Sequence, residues 1–310
     1  MVSPLVVSLK KRKSLCGSKV SILSPAKINL YLNITGKMRQ RFSGAIREFH
    51  TIESVVERIS LSDMIGIEVT SEEGVSISSN DSSLETNENL AYKAVSLLKE
   101  TYKIPFGFRI HLKKNIPVGS GLGGGSSNAA STLLAVRDLL GLGISHSKLY
   151  SLGAALGSDV NFFLSESNFA VLGSRGEKVT PFHTGRIFKH FIIWPGINIS
   201  TKEVYRKTRA KLTNFFNNVK ILQYALKRAD LGLVEKNVFN VLEKGAFSVC
   251  KKLKSARDLI FSRGIEARMT GSGSAFYTVS CNFKLSEIKK HLPDSWKIYQ
   301  VKTFNSNHKL

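Results

Sequence analysis

Three features are scarce in this 310-residue chain. No apolar run approaches the roughly 20 residues that a transmembrane helix needs, so we expect a cytoplasmic protein with no membrane partner. Cysteine occurs three times, at Cys16, Cys250 and Cys281, and an odd number at distant positions argues against a disulfide framework or a metal cluster. Acidic residues are absent before Glu48, and we interpret residues 1–20 as a basic N-terminal extension.

Basic residues dominate the charge. The chain has 45 lysines and arginines against 23 acidic residues, a formal net charge of +22. Such an excess is typical of nucleic-acid-binding proteins, and equally of a protein that attracts a polyanionic small molecule. Because the basic residues are scattered and no repeating aromatic residue accompanies them, we interpret most of the charge as solvated surface. Small-molecule substrates are therefore expected, and nucleic acid is the less favoured alternative.

The segment 116–130 reads IPVGSGLGGGSSNAA and places five glycines within seven residues. It lies between an alternating apolar pattern that predicts a strand and a run that predicts a helix ending at Gly141. Backbone N–H groups at a helix start bind phosphate, and glycine allows the close approach. The segment has neither the lysine of a Walker A loop nor the downstream acid of a dinucleotide fold. The predicted phosphate-binding residues are Pro117, Val118, Gly119, Ser120, Gly121, Leu122, Gly123, Gly124, Gly125, Ser126, Ser127 and Asn128.

Hydrophobic patterns along the chain predict a mixture of helices and strands in two α+β halves. Alternating apolar residues predict strands over 65–69 and 106–112, and a continuous apolar run predicts a buried strand over 191–194. The polar, glycine-containing region 36–47 is expected to form a turn. Residues 219–243 are expected to be mostly helical.

Three segments carry a resemblance to a known family. They are SPAKINLYLNITG at 24–36, PVGSGLGGGSSNAA at 117–130 and TGSGSAFYTV at 270–279. Together and in this order they resemble the three signature motifs of the GHMP kinases. The resemblance covers roughly residues 22–300, and it implies a two-domain α+β fold of the GHMP kinase type.

The resemblance also implies a domain arrangement and an activity. An N-terminal ATP-binding domain with an unusual left-handed βαβ unit would cover residues 21–185, and a C-terminal ferredoxin-like domain would cover 186–310. The active site would lie in the cleft between them. The implied activity is phosphorylation of a small-molecule alcohol by ATP with Mg²⁺, whose protein ligands stay unknown. We expect a monomer or a weak homodimer.

Lys27 and Asp159 are the candidate catalytic residues. A lysine is unusual in an apolar strand, although snorkelling or an edge position would also explain Lys27. Asp159 follows a helix-ending glycine and precedes an apolar run that we expect to be a strand; a capping role would explain it equally well. The resemblance favours a catalytic pair in which Asp159 accepts the proton of the acceptor hydroxyl and Lys27 polarises that hydroxyl.

The first motif is most similar to the branch of the family whose acceptor is a cytidine diphosphate polyol. That resemblance implies two aromatic walls for cytosine, a histidine at the edge of the base, an amide for the polyol, and close backbone approach by the second glycine turn. The implied substrate-binding residues are Asn29, Phe49, His50, Thr201, Tyr205, Gly271 and Gly273.

Two departures from the family pattern concern the acceptor site. The family usually has tyrosine at Phe49, after a turn shorter than the one here, and often has proline at Asn161. For His50 and Tyr205 an ordinary surface or core role is the alternative. For the whole chain the alternatives are a related kinase acting on homoserine, mevalonate or a sugar, and a basic nucleic-acid-binding protein on a similar scaffold.

Overall fold

The computed structural model of the chain describes residues 15–42, 45–208, 218–279 and 284–305. The strands are β1 (Lys19–Phe42), β2 (Ala45–Thr70), β3 (Val75–Ser79), β4 (Gly107–Lys113), β5 (Phe169–Gly173), β6 (Lys178–Phe182), β7 (Lys189–Trp194), β8 (Phe239–Asn240), β9 (Arg268–Met269), β10 (Phe276–Tyr277) and β11 (Lys297–Lys302). The helices are α1 (Leu90–Tyr102), α2 (Gly124–Leu139), α3 (His146–Leu156), α4 (Val160–Leu164), α5 (Thr201–Lys207), α6 (Asn218–Arg228), α7 (Leu231–Asn237), α8 (Leu242–Val249), α9 (Lys251–Ser262) and α10 (Leu285–His291).

The first sheet contains the strands that carry Lys27, Asn29, Phe49 and His50. Its order is β3-β4-β2-β1-β8, and β5 pairs with β2 and with β6 at one side. Strands β1 and β2 form a long antiparallel hairpin. Strands β3 and β4 are parallel neighbours joined through α1, which makes a βαβ unit. The Asn89 side chain starts α1 by accepting a hydrogen bond from the Ala91 backbone N–H at 2.9 Å.

The second sheet has the order β11-β7-β10-β9 and is antiparallel throughout. The two sheets share an apolar cluster, to which Ile28 and Tyr31 of β1, Ile192 of β7 and Tyr277 of β10 all belong. Strand β8 comes from the later part of the chain and yet pairs with β1. One continuous apolar core therefore joins the two sheets.

The predicted strands over 65–69, 106–112 and 191–194 are confirmed within β2, β4 and β7. The alternation over 106–112 matches the burial of β4, in which Phe108, Ile110 and Leu112 are buried. Residues 219–243 are mostly helical as predicted, but Ala229, at a φ of 55°, separates α6 from α7.

Two local predictions were wrong. The region 36–47 is no simple turn, because β1 and β2 stay paired through it from Lys37 opposite His50 to Phe42 opposite Ala45. A hairpin that extends beyond the core can carry polar residues on both faces, so its composition resembles that of a loop. The apolar run after Asp159 is helix α4, and all five of its residues are buried. Short apolar runs do not distinguish a strand from a buried helix.

Cysteine and membrane segments can be checked only over the described ranges. Cys16 and Cys250 are free thiols, and Cys281 lies outside the described residues. Within those ranges no helix combines the length and the apolar character that crossing a bilayer requires.

Candidate active site

A cleft of about 1100 Å³ opens between the two glycine segments, the β1–β2 hairpin and α5. All but one of the sequence-predicted site residues line it. The lining residues among them are Lys27, Asn29, Phe49, His50, Pro117, Val118, Gly119, Ser120, Gly121, Leu122, Gly123, Gly124, Gly125, Ser126, Asn128, Asp159, Thr201, Tyr205, Gly271 and Gly273. The exception is Ser127, which is fully buried behind the loop and accepts a hydrogen bond from the Ser24 hydroxyl at 2.8 Å.

The phosphate loop has the backbone geometry that its glycines predict. Gly119, Gly121 and Gly123 have φ values of 66°, 80° and 71°, in the left-handed region that glycine adopts without strain. Helix α2 begins at Gly124, and none of the described side chains caps its first turn. The N–H groups and the positive end of that helix are therefore available to an anion. This arrangement fits the phosphates of ATP.

A second requirement for glycine in this loop comes from packing. A Cβ atom on Gly121 would lie 2.3 Å from the Thr270 carbonyl oxygen, and one on Gly271 would lie 2.9 Å from the Gly121 carbonyl oxygen. The Ala275 N–H donates to the Ser120 carbonyl at 3.0 Å. The two glycine segments therefore contact each other directly through their backbones, a relation that the sequence alone does not reveal.

Lys27 and Asp159 meet at the inner end of the cleft. The Lys27 Nζ lies 3.2 Å from the Asp159 Oδ2. The lysine is 4% exposed, while the aspartate side chain is 29% exposed. Asp159 occupies the position before α4 but makes no side-chain capping bond to that helix. Its carboxylate therefore faces the cleft beside an ammonium group, and capping does not explain it.

Asn29 holds Lys27 in place. Its Oδ1 accepts a hydrogen bond from the Lys27 Nζ at 2.5 Å, and its Nδ2 donates to the Ser54 hydroxyl at 2.9 Å. The Asn29 backbone N–H donates to the Thr270 hydroxyl at 2.9 Å, which ties β1 to the second glycine turn. A Cβ on Gly123 would approach the Lys27 Cγ and Cε to 3.0 Å. Asn29 thus has a positioning role besides the polyol contact implied by the resemblance.

Arg58, which the sequence analysis missed, holds the far end of α4. It lies opposite Lys27 in the β1–β2 pairing and donates through Nη2 to the carbonyls of Phe162 and Phe163 at 3.2 and 3.0 Å. Burial lowers the pKa of Arg58 to about 10, so it remains a cation at neutral pH. Of this residue pair on the hairpin, Lys27 therefore contacts Asp159, just before α4, and Arg58 contacts the last turn of α4.

The pairing of Asp63 with Lys114 was also not predicted from the sequence. Asp63 is fully buried and accepts hydrogen bonds from the N–H groups of Asn115 and Ile116 and from the Asn128 Nδ2. It also accepts from the Lys114 Nζ, and Lys114 lines the cleft. Burial lowers the pKa of Lys114, and the neighbouring Asp63 opposes this. A buried carboxylate thus anchors the strand end and the helix on either side of the phosphate loop.

The three aromatic side chains predicted to contact the base, Phe49, His50 and Tyr205, all line the cleft. His50 and Tyr205 are ring neighbours, with centroids 5.4 Å apart and planes inclined by 35°. Phe49 instead lies under the Arg175 guanidinium, whose Cζ is 4.8 Å from the ring centroid. The contacts of these side chains with cytosine stay predictions.

Charge and burial determine the protonation of Tyr205 and His50. Burial raises the pKa of Tyr205, and the Asp159 charge raises it further, so the phenol stays protonated. Burial lowers the pKa of His50, and the Lys37 charge adds to this while Glu48 opposes it. His50 is therefore neutral at pH 7 and offers one donor and one acceptor nitrogen.

Thr201 and the second glycine turn close the remaining side of the cleft. The hydroxyls of Thr201 and Ser272 are 2.8 Å apart. Gly271 and Gly273 have φ values of 56° and 84°. The first residue of α5 is thus linked to the turn that packs against the phosphate loop.

The described residues contain no group of three or more His, Cys, Asp or Glu side chains that could hold a metal ion by themselves. The carboxylates that line the cleft are Glu48, Glu88 and Asp159. Mg²⁺ in nucleotide sites is usually held by one or two carboxylates together with phosphates and water. These residues fit an ion that is bound together with a nucleotide. Asp159 is the carboxylate among them that pairs with Lys27, which packs against Gly123 of the loop.

Comparison with known proteins gives a consistent result. The profile for the GHMP kinases N terminal domain matches residues 89–167, and that for the GHMP kinases C terminal domain matches residues 222–297. A 4-diphosphocytidyl-2-C-methyl-D-erythritol kinase of Clostridium perfringens (strain 13 / Type A) is 32% identical over 91% of this chain and 98% of its own length. The protein of the same name from Prochlorococcus marinus (strain MIT 9301) is 32% identical over 95% and 96%.

Comparison with solved structures also finds kinases. A crystal structure of 4-(cytidine 5'-diphospho)-2C-methyl-D-erythritol kinase superposes with a TM-score of 0.73 at 30% identity, and it covers 92% of this chain and 100% of that one. Homoserine kinase from Cytophaga hutchinsonii superposes with a TM-score of 0.67 at 18% identity, over 93% and 95%. The second similarity concerns the fold alone.

Proposed function

Because this chain belongs to the GHMP kinase family and is a small-molecule kinase, we propose that it transfers the terminal phosphate of ATP to the 2-hydroxyl of 4-diphosphocytidyl-2-C-methyl-D-erythritol. The reaction is a step of non-mevalonate isoprenoid biosynthesis. The names of its relatives at about 32% identity support this acceptor. The observation that carries the reaction type is the 3.2 Å pair of Lys27 and Asp159 at the inner end of the cleft.

Phosphoryl transfer requires that the phosphates be held, their charge neutralised and the hydroxyl aligned. The uncapped start of α2 and the glycine loop bind the phosphates. Asp159 accepts the hydroxyl proton as that oxygen bonds to the terminal phosphorus and the bond to ADP breaks. Lys27 places a positive charge beside the reacting oxygens, and Mg²⁺ would supply further charge neutralisation on the phosphates.

The other parts of the cleft suit the two organic groups. Leu84, Leu90 and Leu112 give one region an apolar lining for adenine, with Asn89 beside them. His50 and Tyr205 give the opposite region aromatic surfaces for cytosine. Both substrates are polyanions, so the positive charge of the chain would accelerate their capture.

An ADP-release assay with a coupled reporter tests this function. We expect turnover with the cytidine diphosphate methylerythritol acceptor and little with homoserine, mevalonate or a free sugar. Analysis of the product should place the new phosphate on the 2-hydroxyl. Phosphorylation of homoserine without phosphorylation of the cytidine compound would overturn the acceptor and leave the kinase assignment intact.

A further inference from the structure

Arg175 is a charged residue of the cleft for which the mechanism above has no use. It lies in the turn between β5 and β6, where arginine side chains are normally solvated. Here the side chain is only 9% exposed and lines the cleft. Its guanidinium covers the Phe49 ring at 4.8 Å.

The turn that carries Arg175 is firmly held. The Glu177 carboxylate accepts hydrogen bonds from the Arg175 backbone N–H at 2.9 Å and from the Ser174 hydroxyl at 3.0 Å, and its Oε1 lies 3.6 Å from the Arg175 Nε. The Glu177 carbonyl accepts from the Asn161 Nδ2 at 3.0 Å. Since Asn161 belongs to α4, the turn is fastened to the helix that follows Asp159.

This attachment places Arg175 between two functional groups. A Cβ on its neighbour Gly176 would lie 3.3 Å from the Ser158 Cβ and 3.6 Å from the Asp159 Oδ1. On its other side, Arg175 contacts Phe49, next to His50. The turn therefore lies beside Asp159 with its backbone at Gly176 and beside Phe49 with the Arg175 guanidinium.

We propose that Arg175 determines acceptor specificity by binding the diphosphate that joins the base to the polyol. This inference rests on the proposed function. With the base at His50 and Tyr205 and the reacting hydroxyl at Asp159, the linking diphosphate must cross the space beside Arg175. A planar guanidinium binds phosphate oxygens through two parallel hydrogen bonds, and stacking on Phe49 fixes the plane of the fork.

Other cations line the cleft but are less suited to this role. The exposed ones are Lys37 and Arg206, with side chains 60% and 70% exposed, and Lys202. Lys27 and Lys114 are buried, but each is already paired with a carboxylate, Asp159 and Asp63 respectively. Exposed cations attract anions over a distance and contribute little to a bound geometry. Arg175 combines burial with two fixed neighbours, so it can discriminate a diphosphate from a shorter phosphate.

Binding of CDP, CMP and cytidine to wild type, Arg175→Gln, Arg175→Lys and Arg137→Gln tests the proposal by calorimetry. Arg137 is a matched control on α2 that pairs with its neighbour Asp138 outside the cleft. We expect wild type and Arg137→Gln to prefer CDP over CMP. Arg175→Gln should weaken CDP roughly 10- to 100-fold, as loss of charged hydrogen bonds predicts, and leave cytidine binding unchanged. Arg175→Lys should recover part of the preference.

Turnover gives an independent measurement. For Arg175→Gln the acceptor KM should rise by a similar factor, while the KM for ATP stays at the wild-type value. A CDP preference that survives in Arg175→Gln, with the wild-type acceptor KM, would overturn the role of Arg175 and leave the proposed function standing. If wild type itself bound CDP no better than cytidine, this inference would fail as well, whereas the proposed function would fail only if the cytidine diphosphate acceptor were not phosphorylated.

Discussion

The donor end and the acceptor end of the cleft are built in different ways. The proposed donor end is one contiguous segment, 117–128, whose glycines and helix start leave backbone N–H groups available to an anion. The acceptor end is built from side chains that the fold collects from distant positions. They are Lys27, Asn29, Phe49, His50, Asp159, Arg175 and Tyr205.

The difference determines what each end tolerates. A backbone site depends on allowed φ values and on space, and its side chains matter little. A side-chain site depends on the placement of its supporting elements, here the β1–β2 hairpin, α4 and the turn before β6. Substitutions at the acceptor end should therefore change rate and specificity, whereas those in the loop should change ATP binding and stability together.

Asp159→Asn should give the largest effect, because it removes the proposed base while keeping the side-chain volume. We expect kcat to fall roughly 10²- to 10⁴-fold, the range attributed to positioned general bases. The dissociation constant for ATP should stay close to that of wild type, because the loop is untouched. Single-turnover kinetics and ATP titration measure the two quantities separately.

Asp138→Asn is the matched control, since Asp138 is an exposed carboxylate at the end of α2. It should retain wild-type kcat. If Asp159→Asn kept the wild-type rate, Asp159 would not be the base, and another group would have to accept the hydroxyl proton.

The same comparison explains which parts of the site can be predicted from sequence. The loop is predictable because its determinants are neighbours in the chain: a strand, the glycines and a helix start. Arg58 and Arg175 could not be found, because nothing local marks an arginine that the fold will bury against α4 or Phe49. The family resemblance supplied the Lys27–Asp159 pair, whereas local pattern alone gave Asp159 the wrong following element.

Secondary structure could be predicted where buried residues recur along the sequence with the period of a strand or a helix. The alternation of apolar residues in β4 predicted that strand directly. The prediction of a turn over 36–47 was wrong because no apolar period marks this stretch as strand. The contact between the two glycine segments could not be predicted for another reason. Gly121 and Gly271 are 150 positions apart, and no local sequence pattern indicates a backbone contact.

Gly121→Ala tests the backbone contact and should have the second largest effect. The new Cβ meets the Thr270 carbonyl at 2.3 Å, and a φ of 80° is strained for alanine, by about 1–3 kcal/mol. We expect a lower melting temperature and a raised KM for ATP. Thermal unfolding and initial-rate kinetics measure both.

Gly141→Ala separates strain from contact. Gly141 has a φ of 59°, and a Cβ added there would meet no atom of the described residues within 4 Å beyond its own chain neighbours, so its replacement adds strain alone. It should be destabilised less than Gly121→Ala and keep the wild-type KM for ATP. Equal destabilisation by the two changes would mean that the contact between the glycine segments contributes nothing.

Lys37→Met should give the smallest effect, a shift of a pH profile. The pKa of His50 lies below its ordinary value because of burial and then the Lys37 charge, while Glu48 opposes them. Removing the ammonium, which lies 2.7 Å from Glu48, takes away one of the lowering effects, so the pKa of His50 rises. Protonated His50 loses its acceptor nitrogen, and binding of cytosine should weaken as the pH falls through that pKa.

The acceptor KM, measured between about pH 5 and pH 8 where histidine titrates, should therefore begin to rise at a higher pH in Lys37→Met than in wild type. The Lys37 side chain is 60% exposed, so the fold should be little disturbed. The KM for ATP belongs to the backbone end and should show the same pH dependence in both proteins. Superimposable acceptor profiles would mean that His50 does not contact the base in its neutral form, whereas a parallel shift in both profiles would show that the two ends are electrostatically coupled.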